Sequence, residues 1–590
     1  MQDWWKGAVT YQVYPRSFQD SDDDGVGDLP GITGRLQYLA DLGVEAVWLS
    51  PFFRSPMKDM GYDVSDYCDV DPVFGTLADF DTLVARAHGL GLKVIIDQVL
   101  SHTSDQHPAF AESRASRVNP KADWYVWADP RHDGGPPSNW LSVFGGSAWA
   151  WDARRKQYYL HNFLTSQPDL NYHNREVQDW ALGILRFWLK RGVDGFRFDT
   201  VNYFFHDPRL RDNPADARVK VEAEGNPYGM QYHLFDKNQP ENLGWIERIR
   251  EVLDEFGAAS VGEVGESHHA IRMMGDYTAP GRLHQCYSFE LMGYDFSAGF
   301  FRDRVEGFFK GAPEGWPMWA FSNHDVVRHA TRWAKHGNSV EAVAKQAGAL
   351  LLAFEGSVCL WQGEELGQTD TPLKLEELTD PQGIAFWPEP VGRDNTRTPM
   401  VWDGSAQGGF TSGTPWLPVK PEQAARHVEG QIGAQGSVLE SYRAMLAFRK
   451  TSALRDGRTR FLNLAEPVQT MLMAGDLDMG HARALLALER AAQITAATQV
   501  VVKKMSVREA EALVKKLAAE FVLQPQKVTK EKSRDLKRLE DELSDLLMAQ
   551  VEVRVKKRVK RHGRVEEMGE LAIEFGSLEA LNGVIDRLRG

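Results

Sequence analysis

Through the first three-quarters of the 590-residue chain, short apolar runs alternate with stretches of helical period. ADFDTLVARAHGLG from Ala78 and EVQDWALGILRFWLKRG from Glu176 repeat their apolar positions at the spacing of one helix face. Between such stretches lie runs of strand composition: VTYQVYPRSF from Val9, EAVWLSPFF from Glu45, KVIIDQVLSH from Lys93 and GVDGFRFDTV from Gly192. SVGEVGE from Ser260, CYSFEL from Cys286, MWAFSNHD from Met318 and VCLWQGEELG from Val358 continue the series. Eight strands with helical crossovers predict an α/β chain folded as a parallel (β/α)8 barrel. A stretch from Thr103 to Tyr172, rich in Trp, Pro and Gly, interrupts the alternation after the third strand. Inserts at strand C-termini of such barrels build the active-site wall.

Near Leu464 the pattern changes: Trp disappears, Lys and Arg become dense, and helix formers dominate. MSVREAEALVKKLAAEF and SRDLKRLEDELSDLLM predict helices, the second with Leu536, Leu539, Leu543 and Leu546 at helical spacing. The alternating runs VEVRV and ELAIEF predict two strands, and SLEALNGVIDRLRG a last helix. The expected organisation is a barrel over 1–102 and 173–464, an inserted domain over 103–172, a helical segment over 465–525 and a small α+β domain over 526–590.

Composition narrows the function classes. A hydrophobic share of 43% with 25% charged residues describes an ordinary globular chain, not a disordered one. The net charge of −14 argues against whole-chain affinity for nucleic acid and leaves room for a local basic patch. Eighteen Trp fit a carbohydrate cleft, though large cores use them too. Cys68, Cys286 and Cys359 are far apart, with no disulfide framework or CxxC metal pattern. The N-terminus lacks a basic region followed by an apolar stretch, and no apolar run approaches a membrane span, so a cytoplasmic location is expected.

The chemistry sits at the strand ends. The third run ends in Asp97 and His102, the fourth carries Arg197 and Asp199, the fifth Glu263, and the seventh His324 and Asp325. Each alone has a structural reading, but acids at the ends of strands four, five and seven converge on one barrel mouth. Glycoside hydrolysis needs such a cluster, because one carboxylate attacks the anomeric carbon while a protonated carboxyl donates to the leaving oxygen. Arg197, two residues from Asp199 on the same strand face, would lower its pKa and keep it ionised. Glu263 would need a raised pKa to carry its proton near neutrality.

DQVLSH, GFRFDTVN, GEVGE and FSNHD resemble the four sequence regions of glycoside hydrolase family 13, the α-amylase family. QPDLN from Gln167 resembles the added signature of its oligo-1,6-glucosidase and α-glucosidase members, and the likeness spans about Trp4 to Leu464. The resemblance implies a retaining mechanism in which Asp199 is the nucleophile, Glu263 the acid/base and Asp325 the transition-state stabiliser. It implies Tyr62 as a glucose-stacking platform, and Asp63 paired with Arg393 in a clamp that closes the pocket behind one glucose, making cleavage exo. His102 and His324 would hydrogen-bond hydroxyls at the same subsite, with Phe144 and Phe163 as walls or as local core. Thr200 directly after the nucleophile points to α-1,4 substrates such as maltose, with oligo-1,6-glucosidase and sucrose isomerase as alternatives. No organic cofactor is expected.

DSDDDGVGD, from Asp20 to Asp28, sets acids at alternate positions around glycines, as a loop around a hard cation does. A solvated acidic turn is the plain alternative. In similar glucosidases this loop holds Ca2+ or Mg2+, and the carried-over ligands are Asp20, Asp22, Asp24, the Val26 carbonyl and Asp28, in a structural role.

AEPVQTMLMAGDLDMGHARALLALE and VVKKMSVREAEALV resemble a ParB-type chromosome-partitioning protein, and the stretch from Leu536 onward resembles its C-terminal dimerisation domain. The nucleotide-binding part of that family and the helix-turn-helix recognition segment before LNLAEPVQ are not recognised, nor is the β-sandwich that follows the barrel in family 13. One pattern therefore stops where the other begins mid-domain, as in a chimera. Homodimerisation through the C-terminal domain is expected. Seven Lys or Arg between Arg554 and Arg564 suit sequence-blind phosphate contact or a charge-defended strand edge. A DNA-partition protein with an incidental barrel is the reading of a different class.

Overall fold

Strands β1 (Val9–Val13), β2 (Ala46–Leu49), β3 (Lys93–Gln98) and β4 (Gly195–Phe198) continue through β5 (Ala259–Val264), β6 (Gln285–Ser288), β7 (Met318–Trp319) and β8 (Ser357–Trp361). They form one sheet in the order β6-β5-β4-β3-β2-β1-β8-β7, with every pairing parallel. A parallel bridge from Cys286 to Pro317 joins the two edges, so the sheet closes into the expected barrel. The computed structural model describes residues 3–218, 226–389, 391–455, 457–459, 461, 463–523, 543, 550–561 and 564–574.

Local chemistry sets where elements stop. The first strand is shorter than its apolar run because Pro15 opens a 3-10 turn over Pro15–Ser17. The seventh keeps only Met318–Trp319 in the sheet, and the polar residues after it leave toward the barrel mouth. Helix Leu29–Leu42 starts where the Asp28 carboxylate accepts the Gly31 N–H and ends at Gly43 with φ +101°, which a side chain would resist. Helix Leu77–Gly89 starts in a reciprocal Thr76–Asp79 capping box. Trp48, Ile95, Val261, Tyr287 and Met318 pack inside the barrel. At the opposite end from the site, Arg449 donates to the carbonyls of Gly7, Leu352, Phe354 and Gly356.

The insert after β3 builds a three-stranded antiparallel sheet from Trp127–Ala128, Gln157–Leu160 and Trp149–Asp152. Its core stacks Trp140 on Trp149 at 5.6 Å. Bridges from His102 to Asp169 and from Tyr125 to Leu170 fold its far end back beside the end of β3.

The chain divides into two units, Met1–Arg460 and Phe461–Gly590. In the second, helices Glu466–Met473, Met479–Leu485, Arg490–Lys503 and Val507–Leu523 enclose Val468, Leu485, Ala496, Ala497, Val500 and Ala510. The alanines let those helices approach closely. An antiparallel hairpin follows, β9 (Gln550–Arg561) with β10 (Arg564–Glu574), Val551 opposite Ile573. The expected leucine row at Leu536, Leu539 and Leu546 and the side chains of the basic stretch 554–564 lie outside the described residues. Among those described, no helix is long and apolar enough to cross a membrane.

Candidate active site

Arg197 is the centre of the barrel mouth. In the β3–β4 register Asp97 lies beside Arg197, and in the β5–β6 register Glu263 lies beside Tyr287. The guanidinium, fully buried, donates to Asp97 at 2.8 Å and to Asp199 at 2.6 Å through Nη1, and its Nη2 lies 2.5 Å from Glu263. The ring of Trp48 covers one face at 5.0 Å. One cation thus serves three carboxylates, and a buried site tolerates that only if protons make up the difference.

Burial pushes Glu263 up to about 7, the Asp199 and Asp325 charges adding to it and Arg197 opposing it. Burial likewise pushes Asp199 up to about 6, again against Arg197. The expectation for Asp199 is therefore corrected: Arg197 does lower its pKa, but desolvation is the larger effect. Asp97 is also raised to about 6 by burial. Asp325 moves the other way. Burial would raise it, but His324 at 3.2 Å, Arg397 at 2.8 Å and Arg393 at 3.5 Å hold it below the usual carboxylate range. Desolvation pulls the His324 ring itself well below the usual imidazole range, against the opposing charge of Asp325.

Asp199, Glu263 and Asp325 open onto one cavity of about 370 Å³, which Thr200, Tyr62, His102, His324, Phe144 and Phe163 also line. Tyr62 lies parallel to His324, ring centroids 5.3 Å apart, and their polar ends meet at 2.5 Å. His102 contacts the Ser101 hydroxyl and the Tyr62 carbonyl through its two ring nitrogens, and burial lowers it to about 4.

Arg393 closes one end of the cavity, with a different partner from the one expected. Its guanidinium donates to Asp59 at 2.7 Å and to Asp380 at 2.7 Å, and stands 5.0 Å over the Phe144 ring. Asp63 does not line the cavity: its oxygens accept from the Ser55 hydroxyl and from the Lys58 and Asp59 N–H groups at 2.9–3.0 Å. Left-handed turns at Met57, Met60 and Gly61 fold the loop so that Asp59 faces the sugar space and Asp63 faces the loop.

Thr200 takes φ +40°, an outlier for a β-branched residue. That turn sends its N–H to Glu263 Oε2 at 3.1 Å. The insert contributes Phe163, which lies 5.9 Å from Phe144 and 5.6 Å from Tyr203. Tyr203, Tyr228 and Lys237, from the connection after β4, complete the wall beyond Glu263. Lys237, buried, donates to the Gly265 carbonyl at 2.8 Å and to Tyr203. Residue patterns did not single out Asp59, Tyr203, Lys237, Tyr287 or Arg397. A polar group inside an apolar strand run, as with Tyr287 in CYSFEL, was the available signal.

In the Asp20–Asp28 loop, carboxylate oxygens of Asp20, Asp22 and Asp28 lie within 4.8 Å of one another. Asp24 is outside that triangle, and its Oδ1 accepts the Val26 N–H at 2.7 Å. Desolvation and the neighbouring Asp24, Asp28 and Asp20 push the Asp22 carboxyl upward, a repulsion that a hard cation would relieve.

The family description "Alpha amylase, catalytic domain" matches residues 12–457. "ParB HTH domain" matches 456–519, and "ParB dimerisation domain" matches 532–589. The first ParB match starts six residues before LNLAEPVQ, so it bears on the helices that follow and leaves the recognition segment expected upstream of it unmatched. A "Probable alpha-glucosidase" of Rhizobium meliloti (strain 1021) is 57% identical over 469 residues, covering 78% of this chain and 85% of that protein. An "Oligo-1,6-glucosidase" of Heyndrickxia coagulans is 38% identical over 78% of this chain and 88% of its own length. The solved α-glucosyl transfer enzyme XgtA superposes with a TM-score of 0.77 at 56% identity, over 79% of this chain and 88% of its own. The trehalulose synthase MutB from Pseudomonas mesoacidophila MX-45 reaches 0.71 at 34% identity, over 78% and 86%. By its barrel, its converging carboxylates and these matches, the chain belongs to the α-amylase family of glycoside hydrolases, continued at its C-terminus by ParB-type domains.

Proposed function

We propose that the chain is a retaining, exo-acting α-glucosidase that releases terminal α-1,4-linked glucose from maltose, short oligosaccharides and aryl α-glucosides, with glucosyl transfer as a side reaction. The observation that carries this reading is one buried guanidinium holding both Asp199 and Glu263, in a cavity that the Arg393–Asp59 pair closes at one end. Asp199 attacks the anomeric carbon as Glu263 gives its proton to the departing glycosidic oxygen, forming the glucosyl ester. Glu263, now a carboxylate, takes a proton from water or an acceptor hydroxyl, whose oxygen displaces Asp199 and restores both groups. Asp325, ionised between two guanidiniums, faces the positive charge that develops on the sugar. The relatives described as an α-glucosidase and a glucosyl transfer enzyme support both outcomes for the intermediate.

Linkage preference rests on Thr200, whose hydroxyl reaches Asp199 Oδ2 at 3.3 Å and Ser101 at 3.3 Å, bordering the cleavage point. Asp199→Asn should abolish release of glucose from maltose. Thr200→Val should raise isomaltose turnover relative to maltose, and an unchanged ratio of the two kcat/KM values removes the linkage assignment.

Three further elements belong to this reading. A structural Ca2+ or Mg2+ would be held by Asp20, Asp22 and Asp28, with Asp24 and the Val26 carbonyl as the remaining ligands; it would fix the loop and take no part in the chemistry. The ParB dimerisation match supports a homodimer through the C-terminal domain. The free thiols Cys68, Cys286 and Cys359 suit a reducing cytoplasm.

A further inference from the structure

The acid/base reading of Glu263 leaves open which oxygen carries the proton and what keeps it there. Tyr287 stands beside Glu263 in the parallel β5–β6 register, on the barrel interior, and is 2% exposed. Its hydroxyl oxygen accepts from Arg197 twice, from Nε at 3.2 Å and from Nη2 at 2.9 Å. With those donors on its oxygen, the single phenolic proton has one acceptor left, Glu263 Oε1 at 2.7 Å. Arg197 Nη2 lies on the same Oε1 at 2.5 Å, whereas among the described residues Oε2 receives only the Thr200 N–H at 3.1 Å.

We infer that Tyr287 is a positioning residue for the acid/base: clamped by Arg197, it donates to Glu263 Oε1, so that the transferable proton resides on Oε2. A hydroxyl oxygen of a carboxylic acid is a poor acceptor, so the oxygen carrying the proton is the one with the weaker donor. Burial holds Tyr287 itself far above the usual phenol range, and it stays protonated wherever the enzyme works. The inference rests on Glu263 being the acid/base, and the test separates the two.

The test is Tyr287→Phe, which keeps the ring against Trp48 and removes the hydroxyl. Maltose, with an alcohol leaving group, needs the proton; 4-nitrophenyl α-glucoside, with a stable phenolate, needs it far less. We expect kcat/KM for maltose to fall about tenfold further than for the aryl glucoside, a part of the full contribution of general acid catalysis. The basic limb of the pH profile should move to higher pH, because a donor to the carboxylate has been lost. Both readouts are independent of the fraction of folded protein. Equal losses on the two substrates with an unmoved limb would make Tyr287 a packing residue and overturn the inference. Glu263→Ala is the control: if it spares the aryl substrate and Tyr287→Phe does not, the Tyr287 role fails alone. If Glu263→Ala treats both substrates alike, the acid/base reading falls and the inference with it.

Discussion

Asp59 and Asp63 flank Tyr62 in one short loop, and only Asp59 reaches the sugar space. Its carboxylate is shared between Arg393 at 2.7 Å and the Gln167 amide at 3.0 Å, all three side chains buried or nearly so. Losing one partner of a buried, hydrogen-bonded charge pair costs roughly 2–5 kcal/mol at a binding surface. Asp59→Asn should therefore raise KM for maltose by about thirtyfold or more with a smaller change in kcat, measured by steady-state glucose release. The backbone should survive, since Arg393 keeps Asp380 as a partner. The same pair shows where residue patterns run out. Nothing in the spacing around Tyr62 tells which neighbouring acid faces outward, because left-handed backbone at Met57, Met60 and Gly61 decides it. The acids of β4, β5 and β7 were legible because burying a charge at a strand end is costly and asks for a reason. Tyr287 and Arg397 were not, since a tyrosine or arginine near a barrel mouth has many ordinary uses.

Among elements, the turn after β8 carries a titratable liability. Glu364, in the turn Glu364–Leu366, accepts from Tyr442 on helix Val438–Thr451 at 3.3 Å. Burial pushes its carboxyl up to about 8. A buried acid with a raised pKa is bound to its proton in the fold while the unfolded chain releases it near 4.3. Its contribution is therefore fully present below about pH 4 and lost as pH rises through 8. Glu364→Gln should flatten the fall in thermal stability between pH 5 and 8, on the order of a few kcal/mol, as read by melting at a series of pH values. Wild-type and variant curves of equal slope would show that the carboxyl is ionised throughout. The loop before helix Leu29–Leu42 makes a second element-scale claim: chelation should lower Tm, and added Ca2+ or Mg2+ should restore it, without changing kcat at temperatures below melting. The element pattern itself was readable from apolar runs alternating with stretches of helical period, but strand lengths were not. Pro15 ends the first strand, and β7 keeps two residues in the sheet because its polar continuation serves the cavity.

At the scale of the molecule, every group assigned to the sugar site comes from the unit Met1–Arg460. Activity should then be indifferent to the ParB-type residues, while self-association and any hold on DNA should depend on them. A chain ended after Leu523 keeps the helical core around Val468 and Ala496 and loses the hairpin β9–β10 and the basic stretch. Sedimentation at micromolar concentration should report a dimer for the full chain and a monomer for the shortened one, with kcat/KM on maltose equal in both. The net charge of −14 opposes DNA overall, so retention must come from the local Lys and Arg between Arg554 and Arg564. Contacts of that kind release counterions and weaken steeply with salt. Full-length protein should retain unrelated DNA sequences equally at low salt, release them as salt rises, and lose retention on truncation. Salt-resistant binding to one sequence, kept by the shortened chain, would place recognition in residues 456–519 instead and give the helix-turn-helix match a base-reading role.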